Sequence, residues 1–341
     1  MTAQVNIRNT GHQFLAQPDQ TVLDAAFQAD LVLPFGCRDG TCGSCKSLVI
    51  SGTVKHRRYS ERALPAADRA MGYALMCQAV PTSDLVIEVR DVRLVNDLPL
   101  RNLLVQVSQV SSPADDVMIV RLKLPAGEPL KFLAGQYLDV LLRDGRRRSF
   151  SLANPPHADE SLELHIRRVK DGSFTEHVFT RMRERDILRV ESPLGNFFLR
   201  EEDTRPIVFV ASGTGFAPIK SIVEDAVHKG LKRPMTLYWG GRRPKDLYLD
   251  SLARSWANDQ PHFNYVPVIS EALPADQWQG RSGFVHRAVM RDLPDLSGHC
   301  VYACGVPIMV DSARKDFVQS CGLPPDEFFA DAFTTEGDRA H

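Results

Sequence analysis

Three domains of different class are predicted in series along the 341 residues: an α+β unit, an antiparallel β-barrel and a parallel-sheet α/β unit. Three observations carry that expectation. A tight cysteine motif lies in a mixed segment near the start, short alternating strands fill the middle, and apolar strands alternate with helix-period stretches in the last third.

The first domain spans residues 1–92. Val5-Asn6-Ile7 and His12-Gln13-Phe14-Leu15-Ala16 alternate like a hairpin, with Gly11 at the turn. Thr21 can cap a helix through Val22-Leu23-Asp24-Ala25-Ala26-Phe27, whose apolar residues recur at helical spacing. The cysteine loop comes next, then a strand at Leu48-Val49-Ile50, a Ser51-Gly52 turn and a strand-like run over 85–89. Residues 93–101 read as a linker, because Asn96-Asp97-Leu98-Pro99 breaks any regular element. Within 102–203, the runs at 104–107, 117–122 and 137–142 are short strands separated by Pro, Gly and Asp turns, the pattern of an antiparallel barrel. From 204 to 341 the grammar changes. Pro206-Ile207-Val208-Phe209-Val210 is an apolar strand, a helix pattern covers 217–228, and 235–239, 263–269 and 300–303 read as further strands of a parallel sheet.

Composition narrows the function classes. With 41 basic and 42 acidic residues the formal charge is −1, which points to no polyanionic partner. The basic runs His56-Arg57-Arg58 and Arg146-Arg147-Arg148 read as solvated surface unless a motif argues otherwise. No apolar stretch reaches the length of a membrane span, and the first residues lack the layout of a signal peptide, so a cytoplasmic location is expected.

Cys37-x4-Cys42-x2-Cys45, with Cys77 further on, is the spacing of a [2Fe–2S] cluster held by four thiolates. Three ligands within nine residues force the backbone to curl. Gly36, Gly40 and Gly43 are placed to allow positive φ and to bring N–H groups to the sulfurs. A zinc site would show two C-x2-C pairs where only one is present, and disulfides are not expected without a secretion signal. Removing these four from seven cysteines leaves Cys300, Cys304 and Cys321 as thiols.

Two further sites emerge. In Arg148-Ser149-Phe150-Ser151 the arginine and the aromatic share a strand face, one able to neutralise a phosphate and the other to stack on a flat ring. Ser151 can donate to a ring heteroatom. Asp171-Gly172-Ser173-Phe174-Thr175 is a glycine turn opening a helix, suited to a pyrophosphate. In the third domain Gly213-Thr214-Gly215-Phe216-Ala217-Pro218 comes after the apolar strand. This strand, turn and helix suit a dinucleotide phosphate, with Pro218 tolerated in the first helical turn. Cys304-Gly305-Val306-Pro307 closes a late strand.

Together these motifs resemble the ferredoxin–NADP⁺ reductase superfamily. Its flavin motif reads Arg-x-Tyr-Ser, and its nicotinamide signatures read Gly-Thr-Gly-x-Ala-Pro and Cys-Gly-x-Pro. The first domain resembles the plant-type ferredoxin (β-grasp) fold. By that resemblance Arg148 binds the pyrophosphate of FAD, Phe150 stacks on the isoalloxazine and Ser151 bonds near N5. Gly172, Ser173 and Thr175 form the pyrophosphate turn. Gly213, Thr214, Gly215, Pro218, Gly305 and Pro307 hold the nicotinamide cofactor, with Cys304 near the transferred hydride. Phe150 stands where the family has Tyr, which keeps stacking and loses a phenol hydrogen bond. An aromatic near the C-terminus covers the flavin in similar reductases, and Phe329 and Phe333 are the candidates here.

The domain order resembles the single-chain reductases of bacterial oxygenases. The strings Gly-Gly-Arg-Arg-Pro and Phe-Ala-Asp-Ala-Phe resemble CDP-6-deoxyglucoseen reductase-like proteins. The resemblance implies an electron-transfer reductase: hydride from NADH to FAD, single electrons to the [2Fe–2S] cluster, then to a sugar-nucleotide dehydrase or an oxygenase component. NADPH is the alternative donor, since no obvious acid stands at the end of the second apolar strand for a ribose diol and Arg242 or Arg243 could meet a 2′-phosphate. A redox sensor without turnover is the reading from another class.

Overall fold

A computed structural model describes residues 2–89, 92–94, 98–158, 161–170 and 172–334. The chain divides into two units, one formed by the residues up to Leu100 with Thr334, the other by Arg101–Phe333.

The first unit is built on period-two burial. In β1 (Ala3–Ile7), Ala3, Val5 and Ile7 are buried and Gln4 is exposed, and β2 (Gln13–Ala16) pairs antiparallel with it. The Thr21 hydroxyl accepts from Asp24 N–H at 3.1 Å and starts α1 (Val22–Gln28), which buries Val22, Leu23, Ala25 and Ala26. Then come β3 (Leu31–Val32), β4 (Lys46–Ser51), β5 (Val54–His56), α2 (Ala66–Ala70), β6 (Tyr73–Leu75), β7 (Ala79–Pro81), β8 (Leu85–Glu88) and β9 (Arg93–Leu94). The main sheet has the order β2-β1-β8-β4-β6, with β1 and β8 parallel and the other pairs antiparallel.

β9 lies within the stretch expected as a linker. Leu94 and Arg93 pair antiparallel with Leu31 and Val32, so part of 93–101 is strand. A two-residue strand has no periodicity to read. Asn96 and Asp97, on which the linker expectation rested, lie outside the described residues.

The second unit opens with β10 (Arg101–Ala114), β11 (Val117–Lys123), β12 (Tyr137–Leu141), β13 (Arg147–Ser151), β14 (Ser161–Arg167), α3 (Ser173–Thr180) and β15 (Ile187–Leu194). β10 outruns its apolar alternation by crossing two register shifts against β11. The antiparallel order β13-β12-β15-β10-β11-β14 is joined end to end by a bridge between Leu152 and Leu164, which closes the barrel around Val105, Leu122, Leu138, Leu164 and Val190.

The parallel sheet comprises β16 (Ile207–Ser212), α4 (Phe216–His228), β17 (Met235–Gly241), α5 (Asp250–Asp259), β18 (Phe263–Ile269), β19 (Arg281–Ser282), α6 (Val285–Asp292), β20 (Cys300–Gly305), α7 (Pro307–Ser320) and β21 (Phe328–Ala332). Its order is β19-β18-β17-β16-β20-β21, every pair parallel. The chain winds outward from β16 on one side, then returns to place β20 on the other. That reversal opens a crevice at the carboxyl ends of β16 and β20, where an α/β sheet takes its ligand. Among the described residues no helix is long and apolar enough to cross a membrane.

Candidate functional site

The cysteine loop presents its sulfurs as two pairs. The Cys37 and Cys42 side chains hydrogen-bond each other, and Cys45 Sγ lies 3.2 Å from Cys77 Sγ, too far for a disulfide. All seven cysteines are free. Backbone amides are already aimed at the first pair. Thr41 and Cys42 N–H donate to Cys37 Sγ at 3.3 Å, while Cys37 and Ser44 N–H donate to Cys42 Sγ at 3.3 and 3.4 Å. The hydrogen bond with Cys42, with burial second, pushes the Cys37 thiol up, and Cys77 with burial does the same to Cys45. Four thiolates this close need cations among them, and two pairs suit two irons. The donor set fits a [2Fe–2S] cluster.

The glycines of this loop act differently from expectation at one position. Gly40 and Gly43 have φ of +83° and +78°, but Gly36 does not have a positive φ. A Cβ on Gly36 would stand 2.9 Å from Cys42 Sγ, so close approach is what excludes a side chain there. The remaining left-handed position falls on Arg38, at φ +62°.

At the switch point the two nicotinamide motifs meet. Ala211 and Cys304 are partners across β16 and β20, which sets the 3-10 turn Gly213–Gly215 beside Gly305. A Cβ on Gly215 would lie 2.1 Å from the Cys304 carbonyl oxygen. Ser212 Oγ accepts from Val306 N–H at 3.1 Å and locks one turn to the other. Pro218 is buried in the first turn of α4, and Pro307 is the first residue of α7. Thr214 is buried. The Trp239 indole stacks on Phe216 at 3.9 Å and donates to the Gly213 carbonyl at 3.0 Å, which orients the turn.

On the barrel, Arg148 and Phe150 occupy alternate positions of β13, with the Phe150 ring half-buried 5.5 Å from Phe174. Gly172 precedes α3, and the Thr175 hydroxyl, 3.0 Å from the Gly172 carbonyl and 3.2 Å from Val169 N–H, is spent on shaping its own turn. Ser173 receives a hydrogen bond from Arg146 at 3.4 Å. Asp171 lies outside the described residues.

Two residues to which the sequence alone assigned no role stand at the centre of this site. Ser151 Oγ lies 3.5 Å from Asp331 Oδ2, and Asp331 is also the strand partner of Cys304. The Asp331 carboxyl is crowded by protein, and that desolvation pushes its pKa up to about 6. The signal was an acid inside an aromatic, otherwise apolar run. Arg167, at the end of β14, has its guanidinium over the turn: a Cβ on Gly213 would lie 2.5 Å from its Nη1. Its Nε is 3.2 Å from an Asp116 carboxylate oxygen, and its Nη2 is buried without a hydrogen-bond partner. No local motif announces it.

Three expected contacts take different surroundings. Cys304 is fully buried in the core cluster, and burial raises its thiol. Phe329 stacks on Tyr302 at 4.8 Å under the Arg200 guanidinium, at the start of β21. Phe333 lies just past the other end of that strand, and its N–H donates to the Gly305 carbonyl at 2.8 Å, which puts it at the crevice. Arg243 is held by two 2.7 Å hydrogen bonds to Asp276, whereas the Arg242 side chain is 66% exposed.

A [2Fe–2S] cluster, which the four-thiol cage fits, handles electrons singly and nicotinamide handles them in pairs, so a chain that combines their sites with a flavin barrel is an iron–sulfur flavoprotein oxidoreductase. Known proteins agree. Residues 5–82 match the 2Fe-2S iron-sulfur cluster binding domain, 104–199 the oxidoreductase FAD-binding domain and 209–315 the oxidoreductase NAD-binding domain. The chain is 39% identical over 333 residues to the CDP-6-deoxy-L-threo-D-glycero-4-hexulose-3-dehydrase reductase of Yersinia pseudotuberculosis, covering 98% of this chain and 99% of that one. Terephthalate 1,2-dioxygenase reductase component 1 of a Comamonas species is 36% identical over 343 residues, covering 100% of both. Among solved structures, the Amycolatopsis cytochrome P450 reductase GcoB superposes with a TM-score of 0.79 at 36% identity, over 98% of this chain and 99% of that one. The chain belongs to the family of single-chain NAD(P)H-dependent reductases that carry FAD and a [2Fe–2S] cluster.

Proposed function

We propose that this reductase takes electrons from NADH, with NADPH as the alternative, and delivers them to a CDP-sugar dehydrase of the kind for which the Yersinia relative is named. Delivery to an oxygenase component is the second reading, favoured by whole-length similarity to the Comamonas protein. The observation that carries the reductase chemistry is the convergence on Asp331: the barrel's Ser151 and the nucleotide domain's Cys304 strand reach one carboxylate.

In this reading Cys37, Cys42, Cys45 and Cys77 hold the cluster. Arg148 neutralises the FAD pyrophosphate together with the turn at Gly172, Ser173 and Thr175, and Phe150 stacks on the ring. The bound flavin accepts a hydride and releases its electrons one at a time. Ser151 donates near the ring, oriented by Asp331, which holds a proton on its carboxyl below about pH 6. Gly213, Thr214, Gly215, Pro218, Gly305 and Pro307 would hold the nucleotide, and the Arg167 guanidinium, over the Gly213 turn, would neutralise its phosphates. Cys304 shapes the crevice wall from within the core, and Phe333 covers the flavin where nicotinamide must enter. The three cysteines outside the cluster, Cys300, Cys304 and Cys321, form no disulfide, which supports a reducing, cytoplasmic setting.

The test is acceptor turnover. The purified reductase with NADH is mixed in turn with the CDP-sugar dehydrase and with the terephthalate oxygenase component. Faster NADH-dependent turnover with the dehydrase supports the first reading, preference for the oxygenase supports the second, and turnover with neither removes both.

A further inference from the structure

Gln78, next in sequence to the fourth cluster cysteine, is buried at 8% exposure and reaches back to the loop that carries the other three. Its Nε2 donates to the Arg38 carbonyl at 3.1 Å and to Cys77 Sγ at 3.7 Å. Both neighbours are acceptors, so the amide nitrogen faces them, and its two N–H groups can serve one each. The backbone on either side is pinned as well, since Gln78 N–H donates to the Leu75 carbonyl at 2.8 Å and the Gln78 carbonyl accepts from Arg57 N–H at 2.8 Å. The loop closes tightly on its stem: a Cβ on Gly40 would stand 2.8 Å from Gln78 Cγ.

This arrangement contrasts with the first cysteine pair. Cys37 and Cys42 receive their N–H bonds from the backbone, and the Ser44 hydroxyl lies 3.3 Å from Cys42 Sγ. At Cys77 the donor is a side chain. A donor to a ligating sulfur stabilises the more negative reduced state over the oxidised one, and so raises the potential.

We infer that Gln78 is a positioning residue that sets the potential of the cluster, through its N–H bond to Cys77 Sγ, and that it orients Cys77 against the three-cysteine loop through the Arg38 carbonyl. The inference rests on the assignment of the four cysteines to a cluster. Leucine at 78 removes both donors, and glutamate keeps the shape while removing the nitrogen.

The experiment is a redox titration of Gln78→Leu and Gln78→Glu in the full-length, cluster-loaded protein, read by electron paramagnetic resonance. Resonance Raman spectra of the Fe–S(Cys) stretches in H2O and D2O accompany it. Each variant should lower the reduced-to-oxidised ratio at fixed potential about tenfold, equal to about 59 mV for one electron. The solvent-isotope shift of one Fe–S(Cys) stretch should vanish, and flavin reduction by NADH should keep its wild-type rate. An unchanged potential in a loaded variant overturns the inference. Loss of the cluster from both variants overturns the claim that Gln78 sets the potential, because Gln78 would then only hold the loop. Absence of a cluster signal from the wild type would instead defeat the cluster assignment, so the two failures are distinguishable.

Discussion

In the cluster loop three of four ligands come from nine consecutive residues, and the amides that serve them come from the same stretch. In the crevice, Ser151 and Asp331 meet across 180 positions, Arg167 arrives from the barrel, and Trp239 orients a turn that begins at Gly213. The first site is a property of local chain; the second is a property of topology. Local sites tolerate distant change and fail at their ligands, whereas assembled sites fail wherever two segments touch.

If that distinction holds, the largest effect comes from Cys77→Ser. It should abolish the cluster signal and reduction of cytochrome c while leaving NADH-dependent ferricyanide reduction in place. Retained cytochrome c reduction would show that electrons can leave without the cluster.

Gly215→Ala comes next. With its Cβ 2.1 Å from the Cys304 carbonyl, it should cost about 1–3 kcal/mol through forced displacement of the two turns. The NADH KM should rise about tenfold or more, with the cluster spectrum unaltered. An unchanged KM would mean the turns are free to separate.

Arg167→Met should then weaken nucleotide binding about tenfold, by removing a charged donor over the turn. Binding titrations at rising salt would show the wild type converging on the variant.

The smallest effect, and the one with a sign to check, is Asp331→Asn. The folded-state pKa is raised to about 6, so the native protein binds the proton more tightly than the unfolded chain. Stability from this group is fully present below the unfolded value of 3.8 and is lost as pH rises from there through about 6. Melting curves of variant and wild type should coincide below pH 3.8, with the variant already the more stable at pH 5 and more so near pH 8. The pH dependence of flavin reduction around 6 should also disappear.

The same contrast explains what the sequence disclosed. Cysteine spacing, the Gly-Thr-Gly turn and the period-two strands are local patterns, and each is found where the pattern put it. β9 was missed because two residues carry no period. Asp331 was hidden because its meaning depends on which strand β20 pairs with, and Arg167 because its partner lies across a domain boundary in sequence. Phe329 and Phe333 looked equivalent, yet three residues of strand separate packing on Tyr302 from a place at the crevice.

Electrons should pass from nicotinamide through flavin to cluster. An anaerobic NADH titration of the purified protein, monitored by visible absorbance and electron paramagnetic resonance, reads that path without an intermediary. Both centres should bleach, with uptake of two electrons by the flavin and one by the cluster, and the reduced cluster should give a rhombic signal. A flavin that reduces with no such signal would contradict the path.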